Sequence, residues 1–228
     1  MKPFKFTRNE WSQERYDKNE LLNSDGVHNP IGMLGGYKTN SAEEHFNIIE
    51  KYLKKRRIAV DVGCRWGSFT VQLHKLGFEH VHMIEMRDMH YQGILYNVDM
   101  SRASLYNCAA MDKSGNITRS GKVVVNSDSG NVKAIAVDDL KLNNVDFIKI
   151  DVDGIEHLIL GGAKKTLRAN SLKSVFIEVN DNFKEQSITV KKLLEDSGMH
   201  LKEKRQSDVI QKGSPFEKTY NQIWVRQK

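Results

Sequence analysis

The sequence predicts an α/β fold: a mostly parallel sheet with helices on both faces and one antiparallel edge. Three observations predict it. From residue 41 onward, short apolar runs alternate with segments of helical periodicity. The run "VDFIKIDV" at 145–152 is apolar enough to be a strand buried on both faces. The chain closes on "HLKEKRQSDVI" and "TYNQIWVRQK" with no helix between them, which makes that edge a hairpin.

Residues 1–40 show no periodicity and contain "NSDGVHNPIGMLGGYKTN", rich in turn residues. They read as an irregular N-terminal arm or lid, and 41–228 as the main domain. At Ser41 the segment "SAEE" has the form of a capping box with Glu44 at N3. Phe46, Ile49 and Leu53 then make one apolar face. A strand follows at 58–62. Gly63 and Gly67 bracket a tight turn, and 68–76 reads as a helix ended by Gly77. "HVHMIEM" is the second strand, "RDMHYQGILYNVDM" a weaker helix and "ASLYNCAAM" the third strand. Residues 121–140 read as strand, turn, strand, an inserted hairpin. After the fourth strand at 145–152, a helix from about Ile155 is broken at Gly161-Gly162. "KSVFIEVN" is the fifth strand, and "SITVKKLLEDSG" a helix ended by Gly198.

Composition bounds the function. The chain has 228 residues, 39% hydrophobic and 28% charged, ordinary for one globular domain with a real core. The N-terminus is charged and no run approaches membrane-spanning length. This points to a soluble, cytoplasmic protein with no membrane partner. Cys64 and Cys108 sit in apolar surroundings and read as buried thiols in a reducing compartment, with no Cys/His spacing for zinc. The net charge of +6 could attract nucleic acid. The basic clusters, such as "KKRR" at 54–57, lack interleaved aromatic residues, so a solvated face is the favoured reading.

In parallel sheets of this kind ligands bind beyond the carboxyl ends of the strands. The residues there are the turn "DVGCRWGS", Glu85, Asp112, Asp151 with Asp153, and Glu178. The dinucleotide pattern G-x-G-x-x-G is absent. Gly63 and Gly67 still allow close backbone approach to a ligand, and Glu85 lies at roughly the 20-residue offset of a ribose-binding acid. Together they point to an adenosine-containing cofactor. The acidic cluster at 151–156 would repel the pyrophosphate of NAD. It suits S-adenosylmethionine, which carries a sulfonium and no phosphate.

The segments "DVGCRWGSFT", "VHMIEM", "AVDDL", "DFIKIDVDGIEHLILGGAKKTL" and "VFIEVN" occur in the order and spacing of the FkbM family of S-adenosylmethionine-dependent methyltransferases, which this chain resembles over about residues 58–200. The resemblance implies the class I methyltransferase fold, Rossmann-like, with a seven-stranded sheet ending in a hairpin. It implies O-methylation of a sugar or other small-molecule or glycan hydroxyl. This chain departs from the family in having Asp153 for Glu, Cys64-Arg65-Trp66 for Ala-Asn and a small residue, and Glu85-Met86-Arg87 where Glu-Pro is common.

By this resemblance Asp61 and Gly63 line the methionine end of the cofactor, with Trp66, Gly67 and Ser68 on the same turn. The plainer reading of Asp61 is that it ties down the turn. Glu85 binds the ribose, Met86 packs on the adenine or in the core, and Asp112 accepts from the adenine amino group or merely makes a turn. Trp66 covers the ligand or fills space between sheet and helix. Asp151 is the first choice for the reaction centre and Glu178, at the next strand end, the second. One of them acts as general base. A Mg²⁺ held by Asp151, Glu178 and Asp181 is the less favoured arrangement. Asp153 and Glu156 read more plainly as capping the following helix, and His157 as lying on its surface. The alternatives to a small-molecule O-methyltransferase are a nucleic-acid methyltransferase and a non-catalytic S-adenosylmethionine-binding module.

Overall fold

Two layers of helices enclose one central sheet in the computed structural model, which describes residues 20–22, 28–30, 39–53, 55–120, 123–127, 129–152, 154–206 and 212–227. Within the arm, β1 (Glu20–Leu22) and β2 (His28–Pro30) pair antiparallel. Helix α1 (Thr39–Tyr52) begins two residues before Ser41. The side chains of the expected capping box lie outside the described residues. So does Asp153.

The main sheet is built from β3 (Ile58–Val62), β4 (His80–Glu85), β5 (Ala103–Asn107), β10 (Val145–Ile150), β11 (Ser174–Asn180), β12 (Met199–Gln206) and β13 (Thr219–Arg226). Its strand order is β12-β13-β11-β10-β3-β4-β5. The five strands from β5 to β11 run parallel, β13 is antiparallel to them, and β12, antiparallel to β13, closes the edge. This is the sheet expected from the sequence, hairpin edge included. The chain reverses its direction of progress between β3 and β10, so the crevice at a topological switch point opens where those two strands end.

Alternating side chains divide the core between the two faces. Phe147 joins Ala59, Phe176 and Ile223 under α1, α2 (Ser68–Lys75) and α3 (Tyr91–Asn97). Ile148 and Ile150 join Val60, Val175 and Trp224 under α4 (Glu156–Gly161), α5 (Lys164–Arg168) and α6 (Lys184–Asp196). Helix α4 ends at Gly161, and Gly162 and Ala163 separate it from α5. A Cβ on Gly162 would lie 2.1 Å from the Met111 carbonyl oxygen, so the break is imposed by close packing as well as by propensity. Asp138, in the "AVDDL" segment, accepts from the Lys165 and Thr166 N–H groups at 2.8 and 2.9 Å and so starts α5.

Residues 121–140 do not form their own hairpin. A second sheet of order β6-β9-β7-β8 contains β6 (Ala109–Ala110), β7 (Gly115–Ser120), β8 (Val123–Asn126) and β9 (Val132–Ile135). Strand β7 lies between β8 and β9 and pairs antiparallel with both. The third predicted strand also divides: 103–107 stays in the main sheet, and Ala109–Ala110 pairs with β9. The cluster "KKRR" is not simply a solvated face either. Arg57 grips the buried Asp146 from the foot of β10, with Nη2 to Oδ1 at 2.6 Å and Nε to Oδ2 at 3.0 Å. Arg56 bonds Glu50 at 2.7 Å. Among the described residues no helix is long and apolar enough to cross a membrane.

Candidate functional site

Strands β3 and β10 are paired in register, Lys149 opposite Asp61 and Ile150 opposite Val62. Their carboxyl ends therefore meet. Gly63 turns the chain away from β3 with φ +72°, and its N–H bonds the Ile84 carbonyl at 2.9 Å. The Asp151 N–H bonds the Val62 carbonyl at 3.2 Å. The two turns press together: a Cβ on Gly63 would stand 2.1 Å from the Asp151 carbonyl oxygen. Only glycine meets both the conformation and the approach.

Asp61 is fully buried. It accepts from Thr70 Oγ1 at 2.7 Å, and its other oxygen faces Lys149 Nζ at 3.2 Å in an ionic contact. Asp61 is thus tied to the first coil of α2 and to Lys149 through side chains, rather than to the turn N–H groups of the plainer reading. Lys149, itself buried, donates to the carbonyls of Gly63 at 2.8 Å and Val62 at 3.2 Å and reaches Asp151 Oδ2 at 3.9 Å. Burial pulls its ammonium down, but Asp61 and then Asp151 outweigh that and hold it above its usual range. Lys149 was not singled out from the sequence. The available signal was a lone cation inside an apolar strand, matched by a lone carboxylate at the same level of β3.

The second strand end joins the same loop. Glu85 is buried, not the exposed strand end of the plainer reading. Its oxygens accept from the Arg65 N–H at 3.0 Å and the Arg87 N–H at 2.8 Å, and His90 Nδ1 stands 3.4 Å away. Burial alone would raise its carboxyl. The His90 imidazole, then the Arg87 N–H, outweigh burial and hold it below the usual range. Arg65 takes φ +52°, which turns its N–H toward Glu85. Its guanidinium lies 4.0 Å over the Trp66 ring. Trp66 packs edge-on against His90 at 5.7 Å and leans on the core, and Asn97 donates to its carbonyl at 2.9 Å. Gly67, at φ +82°, carries Ser68 into the buried first turn of α2.

Met86 packs on the cluster of Ala109, Met111, Ile117 and Ala134, against which Ile155 and, from α4, Leu158 also pack. Asp112 follows on that side, close to Gly161 and within electrostatic reach of His157. His157 is half-buried rather than on the surface, and its Nδ1 is sealed from solvent without a hydrogen-bond partner. Asp151 follows Ile150 at the end of β10, and Glu178 follows Ile177, the last residue of β11 paired with β10, while still pairing with Asn221 of β13; both alternate with residues of the α2 face, Phe147 and Phe176. They therefore project from the α2 face of neighbouring strands. Asp181 is bound to Lys204 at 2.5 Å. Among the described residues no three such side chains converge as metal ligands do.

Glu156, in the first turn of α4, bonds the loop ahead of that helix, accepting from the Gly154 N–H at 3.0 Å. Burial raises its carboxyl to about 7, with a smaller push from Asp151. Its folded value lies above its unfolded one, so its contribution to stability is full below about pH 4.5 and is lost as pH rises through about 7. Glu156→Gln keeps an acceptor for Gly154. It is expected to be stabilising at pH 8 by on the order of 2 kcal/mol and close to neutral at pH 5. Thermal unfolding of both proteins across that range checks the sign.

The Methyltransferase FkbM domain matches residues 87–201, starting just after Glu85. No curated protein gives a significant match. Among solved structures, the chain is similar to a methyltransferase FkbM from Methylobacillus flagellatus, at 18% identity and a TM-score of 0.54. That similarity covers 73% of this chain and 43% of the other, so this chain spans less than half the length of that protein. It is also similar to a ribosomal protein L11 methylase from Lactobacillus delbrueckii subsp. bulgaricus, at 13% identity and a TM-score of 0.51, covering 84% of this chain and 81% of that one. At these identities the likeness is one of fold.

Proposed function

Because this chain belongs to the Methyltransferase FkbM family, we propose that it is an S-adenosylmethionine-dependent O-methyltransferase acting on a hydroxyl of a small-molecule or glycan acceptor. The observation that carries the reading is the meeting of Gly63 with the Asp151 backbone, beside a carboxylate-rich strand end. The residues present fit the cofactor. Glu85 Oε1 faces both the Arg87 N–H and His90, whereas Oε2, among the described residues, accepts only from the Arg65 N–H and keeps a lone pair for a ribose hydroxyl. The Gly63 turn, free of a side chain, lets the ends of β3 and β10 press together at the switch point. Met86, Asp112 and the turn of Trp66, Gly67 and Ser68 would border the base and the amino-acid tail.

When bound, S-adenosylmethionine supplies a methyl group on a positively charged sulfur, whose bonding electrons stay behind on a neutral thioether. The chain's own residues then have two tasks. Asp151, at the end of the switch-point strand, takes the proton of the acceptor hydroxyl, because an unactivated alcohol is a poor nucleophile. Glu178, roughly 5 Å away on the next strand, orients that hydroxyl. Beyond them two exposed rings, Phe183 and Phe216, stand on loops tied together by Asn180 and Asn182, which both donate to the Pro215 carbonyl. Such rings suit the apolar faces of a sugar.

Calorimetry with S-adenosylhomocysteine is expected to show binding, and its absence at millimolar ligand overturns the reading. Labelled transfer should then appear on a sugar or polyol. Asp151→Asn should lower turnover at least about a hundredfold and leave thioether binding within a few-fold. Transfer to RNA or DNA that falls steeply with salt would support the second reading, whose motive is the net charge of +6. Equal inactivity of wild type and Asp151→Asn, with cofactor bound by both, would support a binding module.

A further inference from the structure

We infer that Lys149 is a positioning residue that sets the charge of the cofactor end: it cancels the buried Asp61 and leaves the trio of Asp61, Lys149 and Asp151 one net negative charge, at the half-buried Asp151, which makes the site prefer a sulfonium over the neutral thioether. The inference rests on the proposed cofactor and extends it to how the site tells donor from product.

The geometry supplies the balance. Two carboxylates, Asp61 and Asp151, face one ammonium. The ammonium is nearer Asp61, at 3.2 Å, than Asp151, at 3.9 Å. Asp61 has no exposure at all, and the Asp151 side chain keeps 26%. The surplus charge therefore lies at the end of the trio that a ligand can reach. The two carbonyl bonds of Lys149, to Val62 and Gly63, lock the ammonium in place and hold the turn at the switch point. Two groups of the adjoining turn leave the charge of the trio as it is. The Cys64 thiol is kept neutral by its burial and then by Asp61. The Arg65 guanidinium is turned over the Trp66 ring.

Nothing in this arrangement requires Asp61 to touch the ligand. Its effect is long-range and electrostatic, and so it is separable from contact. Asp61→Asn takes the trio from a net −1 to zero without touching Asp151. Asp61→Asn with Lys149→Met removes one charge of each sign and returns the net to −1. Asp151→Asn also gives zero.

The test is the ratio of affinities for S-adenosylmethionine and S-adenosylhomocysteine, measured by calorimetry on the full chain at low salt, which needs no acceptor. Asp61→Asn is expected to lower the preference for the sulfonium about tenfold, as one unit charge some distance away does at an effective dielectric of about 20. The double variant is expected to restore it to within about threefold of wild type. An unchanged ratio in Asp61→Asn overturns the inference while leaving the methyltransferase reading intact. If neither ligand binds wild type, that reading falls and this one with it. If Asp61→Asn does not fold, the double variant, free of both buried charges, is compared with Asp151→Asn. Preference kept in the former and lost in the latter supports the inference; loss in both overturns it.

Discussion

Alanine at position 63 is expected to abolish binding of S-adenosylhomocysteine and to lower the melting temperature by roughly 10 °C. Two independent penalties act there. The backbone sits at φ +72°, which costs a side-chain-bearing residue about 1–2 kcal/mol. The new Cβ would also lie 2.1 Å from the Asp151 carbonyl oxygen and 2.9 Å from Val152 Cγ1. Neither neighbour is the loose end of a flexible side chain, so the two turns must separate. That separation opens the switch point itself. Gly213→Ala is the matched control. It has a similar φ of +82° but nothing within 4 Å of its Cβ. It should lose only the strain energy and keep ligand binding. Calorimetry and thermal melts of the two variants together check the argument, and normal binding by Gly63→Ala would refute it.

Lys149→Met alone is expected to cost about 3–5 kcal/mol, a fall of roughly 10–15 °C in melting temperature. The methionine fills the space, but Asp61 is left sealed in the sheet without its cation. The loss is that of an uncompensated buried charge rather than of one contact. Adding Asp61→Asn should therefore recover most of the stability, even though it removes a further polar group. A double variant no more stable than Lys149→Met would mean that the ammonium's bonds to Val62 and Gly63, not charge balance, dominate. Melting curves of the three proteins decide between these.

Much of the fold was legible because it is written in local patterns. The apolar run of β10, the turn residues Gly63 and Gly67 and the helix-ending Gly77 each act within a few residues. The final two strands were legible as a hairpin because nothing helical separates them. The second sheet was misread for a specific reason. Residues 123–126 and 132–135 are near in sequence and look like partners, but β7 lies between them. Its segment begins in "KSGN", which looks like a turn. Strand pairing depends on which edge is available, and that is not a local property.

The site divides in the same way. The glycine turn, the acidic residues beside it and the family resemblance were legible in the residues alone. These follow from residue type and spacing, which the chain carries everywhere it goes. Only the tertiary structure decided what each carboxylate does. Asp61 and Asp151 look alike in sequence, yet one is sealed against Thr70 and Lys149 and the other faces outward. Glu85 is held by the N–H groups of Arg65 and Arg87, and Glu156 turns back to the Gly154 N–H ahead of its helix. The reason is physical. The charge state and role of a carboxylate depend on burial and on what lies within a few ångströms. For Asp61 that neighbour is Lys149, far along the chain, which reaches it only when β3 and β10 pair.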